Sequence, residues 1–552
     1  FLIFSFSLCF LLSQAPTHQH YEAPSEDVEP GPEGQLAPRL QNLGDHTFPV
    51  TTSSAQAQLF INQGLNLSYG FNHAEAARAF MEASRLDPEC AMAYWGHALV
   101  LGPNINAPMN PEDEPRAYEL MQKAFSLASK VSERERAYIN ALSARYSGNP
   151  EDREAGDRAY AAAMRDLYMR YQGDLDAATL FAEALMDLRP WSYWSRDGRP
   201  YPGTLEAIEA LERVLARNPN HPGANHLYIH MFEDPDAKRA EAAADRLLHL
   251  MPGAGHMVHM PSHIYVRVGR YRDAAEANRL AVLADEDYIA QCRAQGIYPL
   301  GYYPHNIHFL WMASSLLGDS AEAIGSARKT ASQVPVEALE ELPFLQGFLV
   351  VPYYALVRFG KWEEMAAEPL PPYQGPFTMG IWHYARGIAL TALGRLEEAG
   401  RELDELTKIV ADPALEELPA SFSANSAQAI LRIAPEVLAG ERAAKEGDYD
   451  AAIAHLEKAV RFEDSLIYTE PPDWHYPIRH SLGAVLLEAG RAEEAEVVYW
   501  DDLKKNPDNG WSLFGLMQAL KAQGKDEESR FVEARFRKVW SRADVELNAS
   551  RF

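Results

Sequence analysis

Seven of the chain's eighteen histidines fall in three short segments. These are Asn225-His226-Leu227-Tyr228-Ile229-His230, His256-Met257-Val258-His259-Met260-Pro261-Ser262-His263 and His305-Asn306-Ile307-His308. Spacings of three and four residues place side chains on one face of a helix, and that is how paired imidazoles chelate a metal ion. His226, His230, His256, His259, His263, His305 and His308 are therefore candidate ligands, and Glu233, one turn after His230, adds a carboxylate. An imidazole-rich set suits zinc or copper, and the thioethers of Met257 and Met260 would favour copper. Pro261 interrupts the second segment, where it must kink any helix that carries it.

Such a set is useful only if helices hold the three segments side by side, and the sequence contains the pattern that does this. Counting from Ala57, the residues Gly64, Ala76, Phe80, Ala83 and Pro88 fall at positions 8, 20, 24, 27 and 32. Counting from 188, 304 and 476, position 20 is Ala207, Ala323 and Ala495, while position 32 is Pro219, Pro335 and Pro507. Small residues let two helices approach, large ones fill the gaps, and the proline ends the second helix. Less complete starts lie near 91, 222, 255, 346, 380, 433 and 510. The chain resembles the tetratricopeptide-repeat superfamily over nearly its whole length beyond residue 50. The resemblance implies an all-α, right-handed superhelical solenoid of about ten to twelve helix pairs.

In repeat register the histidines line up. His226 and His230 take positions 5 and 9; His256, His259 and His263 take 2, 5 and 9; His305 and His308 take 2 and 5; His480 takes position 5. These positions share one stripe of the first helix of a pair, and the resemblance implies that this stripe lines the concave groove. Tyr228, Tyr265 and Tyr303 are expected to line it too, together with His480. A single helical histidine is ordinarily a core or capping residue, and aromatic residues at helical spacing are ordinarily core. Seven histidines in register on adjacent repeats call for a different explanation.

The organisation follows from the pattern: 1–15 a signal-like apolar segment, 16–50 a Pro/Glu/Gly-rich tail or linker, 51–187 N-terminal repeats with an inserted loop, 188–340 central histidine-rich repeats, 341–543 C-terminal repeats and 544–552 a tail. Departures from the period at 101–115, 288–303 and 369–376 mark inserted loops, which repeat arrays usually carry on a binding face. The run Phe1 to Leu12 followed by Ser13-Gln14-Ala15 reads as the apolar core and cleavage region of a secretory signal, predicting a secreted protein, extracellular or periplasmic. Asn548 and Asn66 head N-glycosylation triplets. With Cys90 and Cys292 alone in the body, a disulfide framework is excluded.

The formal net charge of −27 and the absence of a basic cluster argue against a nucleic-acid partner, and no segment is long enough to span a membrane. P-loop, dinucleotide-binding and nucleophile-elbow motifs are missing from the sequence. Three functions fit. The first is a secreted binding or scaffold protein whose groove holds a transition metal, a small ligand, a peptide or a protein. The second is a metal-dependent enzyme with an open coordination position. The third is an extracellular subunit that forms a homo-polymer through its N-terminal tail and solenoid ends.

Overall fold

The computed structural model describes residues 34–292 and 298–552; the signal-like run and most of the tail after it lie outside the described residues. Among these residues the regular structure is helical, with only isolated bridges such as Asn104 to Ala107. Consecutive helices pack in pairs: Ala55–Tyr69 on His73–Leu86, Ala91–Leu101 on Glu114–Ser126, Pro222–Phe232 on Ala237–Leu250, Tyr303–Leu317 on Ser320–Ser332, and so on to Gly510–Ala522 on Asp526–Val539.

The packing explains the repeat register. A Cβ on Gly64 would sit 2.7 Å from the Phe80 ring, and one on Gly96, in the next pair, 2.2 Å from it. Near the other end, Gly483 and Gly515 clamp Tyr499 in the same way, at 2.4 and 2.1 Å. In these two places one aromatic side chain of the second helix fills the space that two glycines leave open, so the helices approach closely. Ala76, Ala207, Ala323 and Ala495 are all buried. The helices end at Leu86, Arg217, Ser332 and Lys505, two or three residues before Pro88, Pro219, Pro335 and Pro507.

Residues 34–50 do not trail free. Leu36 N–H donates to Glu82 and Leu40 N–H to Gln63, both at 2.9 Å, and Phe48 is buried on Trp95. Ala37, Leu43 and Phe48 of this stretch are buried, and Leu40 and Val50 pack against the same core. The 288–303 interruption is partly helical: Tyr271–Cys292 runs through Tyr288, and Tyr298–Tyr302 forms a π turn before the next helix.

The solenoid also closes on itself. Tyr271 donates to the Pro507 carbonyl at 2.9 Å, Trp511 Nε1–H to the Ser315 carbonyl at 3.0 Å, and Ser320 N–H to Asp544 at 2.7 Å. C-terminal repeats therefore lie against central ones, and the face expected to line an open groove becomes interior. Asn66 is buried, with its amide donating to the His46 carbonyl at 3.0 Å. A glycan cannot reach it in the folded chain, because the helix that carries it packs that face inward; Asn548 is exposed. Cys90 and Cys292 are buried free thiols. No described helix is long and apolar enough to cross a membrane.

Candidate metal centre

Three helices from successive repeats carry the histidines. Pro222–Phe232 holds His226 and His230; the next helix, broken at Pro261 into Gly255–His259 and Pro261–Arg267, holds His256, His259 and His263; Tyr303–Leu317 holds His305 and His308. Proline in the first turn of Pro222–Phe232, Pro261–Arg267 and Tyr303–Leu317 has no N–H to lose there and presets the helical backbone. At the break, Ser262 Oγ donates to the His259 carbonyl at 2.6 Å.

The side chains gather into two triads, His226–His230–His256 and His259–His263–His305, each with its ligand atoms within 4.8 Å of one another. They are built identically: positions 5 and 9 of one repeat plus position 2 of the next. A phenylalanine ring packs on each. Phe71 lies 4.4, 5.8 and 5.7 Å from the rings of His226, His230 and His256, and Phe309 lies 5.0, 4.8 and 5.9 Å from those of His259, His263 and His305. Phe71 reaches its place through a left-handed backbone, φ +55°, which non-glycine residues adopt rarely.

Contacts behind the rings decide which nitrogen is basic. His226 Nδ1 lies 2.6 Å from the Tyr69 carbonyl oxygen, at the open C-terminal end of its helix. A carbonyl only accepts, so Nδ1 carries the proton and Nε2 presents its lone pair, 3.0 Å from His230 Nε2. His259 repeats this. Its Nδ1 is 2.7 Å from Asn278 Oδ1, whose Nδ2 is committed to the Ala274 carbonyl, so His259 Nε2 is again a bare acceptor. His263 Nε2 lies 3.0 Å from it and His305 Nε2 3.1 Å. His256 is buried with no hydrogen-bond partner on either ring nitrogen. Metal-bound histidines in a tetrahedral shell have nitrogens roughly 3.3 Å apart, given metal–nitrogen bonds near 2.0–2.1 Å. The His226–His230, His259–His263 and His259–His305 pairs are already close to that spacing, and the outer nitrogens of His226, His230, His259 and His263 are held as metal-site second shells hold them.

Glu233 joins the two triads. One oxygen lies 2.9 Å from His230 Nδ1 and the other 3.1 Å from His263 Nδ1, which Glu470 also meets at 3.1 Å. Burial pushes the Glu233 carboxyl up to about 8. Burial, reinforced by the neighbouring imidazoles, holds His226, His230, His256, His259 and His305 far below the ordinary histidine range. They are therefore neutral, the form that binds metal. Burial opposes charge on His263 as well, but Glu233 and Glu470 outweigh it and raise its pKa.

Other expected residues sit elsewhere. His308 stacks on Trp311, outside both triads. Glu233 faces outer ring nitrogens and acts as an orienting group rather than as a third-face ligand. Met257 packs against Gly70 in the core. Tyr228 donates to Glu212, Tyr265 to Asp245 and Tyr303 to Glu286, all facing second helices instead of the histidines. A tyrosine ring that does meet a triad is that of Tyr302, 4.8 Å from His256. His480 joins Asp502 and Arg358, outside both triads. The orienting groups Tyr69, Asn278 and Glu470 carry no sequence signal: a carbonyl has none, and Glu470 is 207 residues from His263.

A third group, His46–Asp176–His221, has a different chemistry. His221 Nδ1 accepts the Ala224 N–H as a helix cap, so its proton sits on Nε2 and points at Asp176. Asp176 also takes hydrogen bonds from Tyr69 and His46, at 2.7 and 2.8 Å. Every nitrogen of His221 is used, and the group is a hydrogen-bond hub that ties the N-terminal segment to the repeats.

No family model matches the sequence, and no curated protein matches it. Among solved structures, the chain is similar to the human IFIT1 dimer with m7Gppp-AAAA, at 11% identity over 89% of this chain and 91% of that one, TM-score 0.29. It is also similar to the APC/C hetero-tetramer Cut9–Hcn1, at 13% over 84% and 76%, TM-score 0.30. The P58(IPK) TPR domain is a third, at 13% over 86% and 100%, TM-score 0.23. Superpositions this loose carry no functional argument, and the fold is read from the helix pairs and their glycine–aromatic register. On that reading the chain is an all-α solenoid of paired helices, the architecture that the sequence resemblance implies.

Proposed function

We propose that this repeat solenoid is a metalloprotein that holds a transition-metal ion in each of its two histidine triads. The observation that carries the reading is the pair of bare Nε2 acceptors on His226 and His259. Each has its proton locked at Nδ1, and each faces two further imidazoles in a buried pocket. A cation between the imidazoles satisfies such an acceptor; in its absence the Nε2–H tautomer of His230, or of His263 or His305, donates to it. Neutral imidazole suits zinc, copper, iron and nickel, and intrinsic affinity favours copper(II) among them. Three ligands per ion leave a coordination position open. The apolar N-terminal run further supports reading the chain as exported, which N-terminal sequencing of the mature protein tests.

One feature supports a second reading, catalysis at the open position. His305 is only half buried and borders a cavity of about 60 Å³ whose other walls include His308, Trp311, Phe348 and Glu470. A small molecule could reach the second triad from there.

The deciding experiment is elemental analysis of protein purified without an affinity tag or chelator. Two ions per chain are expected, falling to one in His226→Ala and in His259→Ala and to none in the double variant, with helix content unchanged. A chain that stays metal-free after reconstitution with copper and zinc returns the triads to polar packing.

A further inference from the structure

A second unusual site lies in the C-terminal repeats. Arg358 is 4% exposed, yet among the described residues no carboxylate pairs with its guanidinium, which meets Trp511 and His480 instead. It lies 3.5 Å over the Trp511 ring and donates to His480 Nδ1 at 3.1 Å. His480 Nε2–H donates to Asp502 at 3.1 Å, so the Asp502 carboxylate is one imidazole away. Burial lowers the Arg358 pKa to about 9. A buried cation without a direct counter-ion is costly, and a guanidinium offers five donors in a fork that fits a carboxylate.

Arg358 lines a cavity of about 430 Å³, within the range of small-molecule sites. Three cations border it, Arg358, Lys445 and Arg551, against two carboxylates, Glu441 and Glu488. Both carboxylates are already paired with Arg551, at 2.5 and 3.0 Å, and Lys445 donates to the Ala392 carbonyl. In a chain of net charge −27, this pocket is locally positive. Val357, Ile388 and Ala444 supply an apolar wall.

We infer that this cavity binds a small organic carboxylate, its anionic end on the Arg358 guanidinium and its carbon skeleton against Val357, Ile388 and Ala444. The site is separate from the histidine triads and does not depend on metal.

Titration calorimetry of the full chain with 3-phenylpropionate, its neutral amide and inorganic phosphate tests the inference. The expected result is one carboxylate per chain with the amide bound at least about tenfold more weakly, the contribution of a charge-assisted hydrogen bond. Arg358→Gln should abolish the difference. Should Arg358→Gln not fold, Ala392→Leu decides: it fills the cavity from a half-exposed wall position and leaves every charge in place. Loss of binding in that variant supports the site, and full binding places the ligand elsewhere. No heat from 3-phenylpropionate up to about 10 mM, equal binding of the amide, or phosphate binding as well as the carboxylate would each overturn the assignment.

Discussion

His226 Nδ1 rests 2.6 Å from the carbonyl oxygen of Tyr69, and this one contact decides which face of the imidazole is basic. The carbonyl is available because Tyr69 ends its helix, where backbone acceptors have no intrahelical partner. Asn278 does the same for His259 with a side chain in place of a backbone group. A repeated ligand set is thus oriented by two unrelated devices, and the difference makes the two triads separately addressable.

Asn278→Ala should remove the orienting acceptor of His259 and leave His226 untouched. Loss of a second-shell partner costs about 10–100-fold in metal affinity. Competition against a chelator of known affinity should show one weakened and one unchanged ion; equal weakening of both would contradict the assignment.

Glu233 touches both triads, at 2.9 and 3.1 Å. Glu233→Gln should therefore weaken both ions together, by a similar factor, while Glu470→Gln should act on the second alone. Stepwise metal release followed by native mass spectrometry distinguishes these patterns, and an effect of Glu233→Gln confined to one ion would show that the carboxylate does not link the sites.

Gly515→Ala should disturb the repeat packing, since its Cβ would come 2.1 Å from the Tyr499 ring. Overpacking of this kind costs about 1–3 kcal/mol. The urea midpoint should drop, and Tyr499→Leu in the same background should recover part of the loss by making room.

Asp285 gives a pH dependence of known sign. It is fully buried between the Tyr298 hydroxyl at 2.8 Å and the Asn306 amide at 2.7 Å, and burial raises its pKa to about 7. A carboxyl with a raised folded pKa favours folding most below its unfolded pKa, near 3.9. That contribution is lost as pH rises through about 7. Asp285→Asn should gain stability relative to the parent between pH 5 and 8, by about 2–4 kcal/mol. Thermal melts across that range check it, and parallel pH profiles for the two proteins would refute the role of Asp285.

Helix pairing and the histidine register are legible in the sequence because both depend on short-range spacing. Small, aromatic and proline residues at fixed intervals specify a helix pair, and positions 2, 5 and 9 specify a face. The register by itself therefore assigns seven histidines to one stripe. Spacing does not divide that stripe into two triads, separate His308 from the rest, or show that Tyr228, Tyr265 and Tyr303 face second helices. Those outcomes depend on how far each helix is rotated and shifted against the next. Nor does it supply Tyr69, brought from the first helix by the curvature of the array, Asn278, presented by the helix paired with that of His259, or Glu470, which arrives only because the C-terminal repeats close over the central ones. Local patterning determined the elements and the residue types they present; superhelical closure, a sum of many small inter-repeat rotations, decided that the histidines are buried, which nitrogens are free, and that Arg358 stands alone beside a cavity.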